Sequence, residues 1–234
     1  MAFPSTFADL QSAVIAKTRL DPQNAADVTK VKDWINQAYY RIVLETEAIQ
    51  AQTTQVLTPN VNQYQLPTQA KRIKWMVSQQ AGQTFYGPPL RMTSMDDILW
   101  RRKSSGGSVI TNATCTHYTF SSPNFIDVWP TPGAADTLLI YYVAYPPVLV
   151  NANDVPAMDE PYASKLIEYG ALIDSSDYIK DIMASFSYPQ LFEDWLMRFR
   201  QHNSRKAGTQ SLDFRIPTGR YLPHDNSVDM GGYA

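Results

Sequence analysis

Residues 136–145 read DTLLIYYVAY and are followed at once by Pro146 and Pro147. The run is rich in β-branched and aromatic side chains, and it is short for a buried helix. A strand that is apolar at nearly every position, rather than at alternate ones, is covered on both faces. This segment is therefore expected at the centre of a sheet. Working outward from it, TTQVLT (53–58), QYQL (63–66), RIKWMVS (72–78), HYTF (117–120) and FIDVW (125–129) are shorter runs of the same kind. Pro, Gly, Asn and Ser clusters separate them, as turns require. One helix interrupts: Ser94 is its cap, Asp97 stands at its third position, and Ile98, Leu99 and Trp100 provide its contact. The SSGGS stretch at 104–108 reads as a loop tip.

Helical periodicity flanks this β-rich middle on both sides. Thr6 with Asp9 forms a capping box ahead of Phe7, Leu10, Val14 and Ile15. Asp21-Pro22 breaks that helix, and a longer one is expected from about Ala25 to Ala48. There Val28, Val31, Ile35, Ala38 and Ile42 recur at three- and four-residue steps, widened by Trp34 and Tyr39. Asp27 suits the positive end of the helix dipole. After Glu160-Pro161, Leu166, Tyr169, Gly170 and Ile173 mark a face of a helix reaching about Asp181. The last helix begins at Tyr188-Pro189, buries Phe192, Trp195, Leu196 and Phe199, pairs Asp194 with Arg198, and stops at Gly208. The fold class is α+β. A helical bundle (1–51 and 159–207) carries an inserted antiparallel β-sandwich or barrel-like region (52–158), and an extended C-terminal tail follows (208–234). No internal repeat is visible.

The bulk numbers narrow the function classes. With 234 residues and 44% apolar side chains, the chain has ample length for a core. A net charge of −2 gives no electrostatic case for a nucleic-acid or membrane-surface binder. Only 18% of residues are charged, against 16 Pro and 14 Tyr, so the surface is neutral-polar and aromatic, compatible with burial by protein partners. The lone Cys115 allows no internal disulfide and no thiolate cluster. No secretory signal opens the sequence, and no apolar run approaches a membrane span, so a cytoplasmic protein or a particle assembled in the cytoplasm is expected.

No constellation of side chains supports catalysis. His117, His202 and His224 share no metal-ligand spacing, and there is no nucleophile elbow, P-loop or dinucleotide fingerprint. No catalytic residue, metal or cofactor is assigned. Asp96-Asp97 is accounted for as helix-start charge, and Cys115 as a small buried hydrophobe. Arg101, Arg102 and Lys103, and again Arg198, Arg200, Arg205 and Lys206, sit at helix C-termini, where cations are favoured locally; contact with DNA is the sharper reading of both clusters. Glu168, Asp174, Asp177 and Asp181 recur at helical steps as an acidic stripe. Such a stripe is ordinarily a solvated face; the sharper reading is a wall that repels DNA in a channel. The tail keeps Phe214, Ile216 and Tyr221, interleaved with Arg215 and Arg220, where a flexible linker would shed such side chains. About 25 extended residues span on the order of 80 Å, enough to reach a neighbouring subunit or a second protein.

The blocks DVTKVKDWINQAYYRIVLETEA (27–48), KRIKWM (71–76), SMDDILWRR (94–102), PTPGAADTLLIYYV (130–143), EPYASKLIEYGA (160–171) and FEDWLMRFRQH (192–202) together resemble the head-to-tail adaptor (connector) proteins of short-tailed bacteriophages. The likeness spans about residues 3–206 and is one of packing pattern rather than catalytic motif. It implies a virion neck protein without enzymatic activity that forms a homo-oligomeric ring, commonly a dodecamer. The portal protein would lie above the ring, the tail nozzle or hub below it, and DNA would pass through a central channel. Fibres are a further candidate partner. The reading from another class is a carbohydrate- or receptor-binding, or fibre-attachment, β module. Trp75, Tyr86, Trp100 and Trp129 would then stack on sugar faces, although core burial is the simpler account of these aromatic side chains.

Overall fold

The central strand is where its sequence puts it. In the computed structural model, which describes residues 5–104, 114–179 and 182–213, β7 (Thr137–Ala144) lies between β1 (Gln50–Val56) and β3 (Ala70–Gln79) and is antiparallel to both. Side chains of 177, 182–186 and 206–213 are outside that description. Leu138, Ile140 and Tyr142 are buried on one face of β7, and Leu139 and Val143 on the other. Continuous apolarity thus reflects two covered faces.

The second sheet runs β2 (Gln63–Gln65), β6 (Phe125–Trp129), β5 (His117–Ser122), β4 (Arg91–Met92). Its side chains Tyr64, Tyr118, Ile126 and Val128 share one buried cluster with Met76, Leu138 and Ile140 of the first sheet. Neither sheet closes into a barrel. The all-antiparallel expectation fails at one place: β4 pairs with β5 in parallel. The chain changes sheets there, because the Leu90 N–H donates to the Met76 carbonyl while the next N–H, of Arg91, donates to the Thr116 carbonyl. A two-residue strand has too little pattern to be read from sequence.

Four of the five described helices meet in a separate apolar cluster: α1 (Phe7–Thr18), α2 (Ala25–Thr46), α4 (Tyr162–Ile179) and α5 (Ile182–Asp213). Phe7, Val14, Val31, Ile35, Ile42, Leu166 and Phe199 lie inside it. Each such side chain contributes roughly 1.5–3 kcal/mol on burial. The Thr6 capping box forms as expected, with Thr6 N–H and hydroxyl both donating to Asp9 and the Asp9 N–H donating back. Carbonyls of the 151–154 turn accept two further α1 donors: Phe7 N–H reaches Asp154 at 2.7 Å and Ala8 N–H reaches Ala152 at 3.0 Å. Helix ends that would otherwise be unsatisfied are thereby closed.

Helix α5 departs from its expected limits at both ends. It begins at Ile182, with Pro189 inside it, because one missing N–H removes a single intrahelical bond and need not terminate the turn before it. It passes Gly208 and runs to Asp213, since an interior glycine costs only about 1 kcal/mol relative to alanine. Arg198 lies over the Trp195 ring, 5.3 Å from its centroid, rather than pairing with Asp194. On α3 (Met95–Ser104), Ser94 caps the Asp97 N–H as expected, but only Ile98 is buried. Leu99 and Trp100 point outward, Trp100 with 67% of its surface exposed.

The link from β7 back to the helices is tied down by one amide. Asn36 on α2 donates to the Leu149 carbonyl at 3.0 Å and accepts from the Leu149 N–H at 2.8 Å, as a neighbouring strand would. Leu149 is driven into the helical core, and Val148 is left 71% exposed beside the likewise exposed Val150.

Candidate interaction surfaces

The acidic face of α4 is engaged within the chain where it is described. Glu168 is only 5% exposed. It meets Lys17 of α1 at 2.5 Å and Lys165 at 3.1 Å. Burial alone would lower the Lys17 pKa, but the bond to Glu168 and its charge outweigh this and leave it raised. The contribution of Lys17 to stability is therefore present below the ordinary lysine value and lost only as pH climbs past it. Asp174 pairs with Arg41 of α2 at 2.9 Å. The backbone of Asp177 lies in α4 without a described side chain, and Asp181 lies outside the described residues. Sequence spacing placed these acids on one helix but could not show that two of them face cations from α1 and α2.

Four side chains of the basic clusters, Arg101, Arg102, Arg198 and Arg200, are also engaged within their own subunit. Arg101 bonds Asp97 at 2.8 Å and covers the Trp129 ring at 5.2 Å. Arg102 reaches the Val128 carbonyl, and Arg200 pairs with Glu45. The hydrogen bonds from Thr93 and Arg101 hold the Asp97 carboxyl below its ordinary pKa. Of the four aromatic side chains proposed for sugar stacking, Trp75 lies flat on Tyr141 at 3.7 Å and Trp129 lies under Arg101. Tyr86 and Trp100 are exposed. Cys115 is buried, donates to the Pro130 carbonyl, and has its thiol pKa pushed up to about 12, chiefly by burial. Among the described residues no group of three or more His, Cys, Asp or Glu side chains is placed to hold a metal ion. No described helix is long and apolar enough to cross a membrane.

A cleft of about 410 Å³ opens where the helices meet the first sheet. Glu47, Gln50, Lys74, Asp159, Phe199, Asn203 and Ser204 line it, so α5 and the first residue of β1 both border the same cleft. Glu47 is held there by Arg72 at 2.5 Å and Lys74 at 3.2 Å. The tail residues Phe214, Arg215, Ile216, Arg220 and Tyr221 lie outside the described residues.

The turn that receives α1 is expected to respond to acid. Asp154 accepts from the Val150 and Asn151 N–H groups, which lowers its pKa, and the Thr6 bonds lower that of Asp9. A depressed carboxyl pKa gives stability that is present above the ordinary carboxylate value and lost as pH falls through the folded one. The Thr6, Asp9, Val150 and Asn151 amide resonances are expected to shift below about pH 4. Unchanged amide resonances down to about pH 2 would contradict this.

The apolar positions exposed on α3 and in the 148–150 segment (Leu99, Trp100, Val148 and Val150) suit contact with other chains. No curated protein matches the chain. The SU10 adaptor protein family matches residues 5–214, which takes in both apolar clusters and every described element. The chain therefore belongs to the SU10 adaptor protein family, in keeping with its resemblance to phage head-to-tail adaptors.

Proposed function

We propose that this chain forms a ring, dodecameric in the reading its family resemblance favours, that sits below the portal of a bacteriophage and joins it to the tail nozzle or hub. The family match over residues 5–214 carries this reading. The helices would form a bundle making the ring body, and the two facing sheets a sandwich presented to the next tail component, with fibres as a further candidate. Subunits related by rotation and joined head to tail close such a ring. The central channel would pass DNA without reading its sequence and serve genome retention and ejection, a structural role without catalysis. Glu168 and Asp174 then act first as clamps between helices. A channel-facing acidic role falls to Asp177 and Asp181. The tail, with Phe214, Arg215, Ile216, Arg220 and Tyr221, is the docking segment toward the portal or a neighbouring subunit. Light-scattering mass of the full chain, alone and mixed with purified portal rings, tests the assignment. A closed ring on the portal is the expected result; a chain that stays monomeric with portal present at micromolar concentration overturns it.

A further inference from the structure

Three carboxylates among the described residues are more than nine-tenths buried: Asp127, Asp136 and Glu168. Two of them are satisfied within the chain. Glu168 is clamped by Lys17 and Lys165, and Asp136 accepts the Ala81 N–H at 2.9 Å. Asp127, 7% exposed, has no side-chain hydrogen bond and no ion pair among the described residues. Arg101 is held by Asp97, and Arg102 turns to the Val128 carbonyl. A buried carboxylate without a counter-charge destabilises the chain that carries it, so its presence calls for an explanation.

The sheet fixes the side to which this acid turns. Ile126 and Val128, its neighbours on β6, lie in the cluster between the two sheets. Strand alternation therefore puts Asp127 on the outer face of the second sheet, in one row with Phe125 and Trp129. Directly opposite it stand Thr119 of β5 and Gln63 of β2. Thr119 is 4% exposed, and its hydroxyl also lacks a partner among the described residues. Helix α3 covers the Trp129 end of the row through Arg101, whereas Phe125 at the other end is 36% exposed. The Asp127 oxygens are not sealed in: they keep some access to the surface.

We propose that Asp127 is the docking point for an arginine or lysine side chain of the next tail component, which lies on the Phe125 end of this outer face. A cation brings the two things the chain itself does not provide there. It neutralises the carboxylate, and its N–H groups donate to both the Asp127 and Thr119 oxygens, whose Cβ atoms stand about 5 Å apart as direct cross-strand neighbours. Phe125 offers an apolar surface to the aliphatic stem of such a side chain. The pairing also selects the partner, because a chain without the cation would cover the carboxylate and leave it unpaired. This inference rests on the reading that the sheets face the next tail component.

Two measurements on the full chain test it: the urea midpoint of the isolated protein, and uptake of purified nozzle protein by adaptor rings formed on the portal. Asp127→Asn removes the charge and keeps the shape. Its urea midpoint is expected to equal or exceed that of the parent, while nozzle uptake falls by about tenfold or more. Gln63→Lys sets a cation opposite Asp127 from within the chain. It should raise the midpoint and block uptake as strongly, because the carboxylate is then already paired. A carboxylate that serves only to hold surface water predicts undiminished uptake by both variants, and that result overturns the proposal. A lower midpoint for Asp127→Asn also overturns it, by showing the charge engaged inside the isolated chain. Electron microscopy of the same mixtures separates the two levels. Rings that take up nozzle whatever stands at 127 sink only this inference, whereas a parent chain that forms no ring, or a ring that takes up no nozzle, sinks the reading beneath it as well.

Discussion

Gly170→Leu is expected to be the most damaging single substitution in the helical part, lowering stability by about 3 kcal/mol or more. Where α4 crosses α2, a Cβ at residue 170 would stand 2.9 Å from the Ala38 Cβ and 3.5 Å from both Arg41 and Phe192. Real carbon atoms do not approach so closely, so the helices must part. Parting them opens the packing of Ile35, Ile42 and Leu166, which lie fully buried in the same cluster. Against a total stability of about 5–15 kcal/mol, the change is large. Gly170→Ala sharpens the argument. Alanine favours the helix by about 1 kcal/mol, while its methyl meets that of Ala38. The pair Gly170→Ala with Ala38→Gly moves one methyl across the contact and should recover much of what Gly170→Ala loses. Urea midpoints of the four proteins give the coupling directly. Additive effects, or a Gly170→Leu protein as stable as the parent, would show that the helices do not approach closely here.

Removal of residues 214–234 is expected to abolish attachment to portal rings while changing the urea midpoint by no more than about 0.5 kcal/mol equivalent. The cut belongs after Asp213 because α5 extends that far, and a cut at Gly208 would also shorten the helix. The family match ends at residue 214, so the segment carrying Arg215, Ile216, Arg220 and Tyr221 lies beyond the shared region. A tail that supplies contact and no core can be lost without unfolding. Co-sedimentation with portal rings reads the outcome, and undiminished binding by the shortened chain would assign attachment to the body of the subunit. Tyr221→Ala alone should weaken it less, because one anchor of several is removed.

What could be read in advance follows the length of the pattern. DTLLIYYVAY announced a doubly covered strand, and Val31, Ile35, Ala38 and Ile42 announced the buried stripe of α2, because each repeats its period over several turns or residues. The Thr6–Asp9 box was legible because its partners are three residues apart. Contacts set by distant elements were not. Leu99 and Trp100 fit a helix's apolar face, yet α3 touches the second sheet through so short a stretch that Ile98 alone is covered. The acids of α4 looked alike in sequence, and only the arrival of Lys17 from α1 and Arg41 from α2 distinguishes a buried clamp from a solvated charge. Asn36 carries no signal in the sequence, because its partner, Leu149, lies far along the chain.

The pairing of β1 with β7 has a consequence for how such chains can change. Gln50 and Val143 stand side by side in that ladder, so the chain leaves the helical scaffold and returns to it through neighbouring points. Everything between them hangs on that stem and on the ties of Lys71, Arg72 and Lys74 to the end of α2. Enlarging, shortening or exchanging it leaves the spacing of α2 and α4 unaltered, since the closure of the stem does not depend on the length it encloses beyond a weak entropic term. A lineage of such proteins could refit the face its sheets show while the packing of its helices stays as it is.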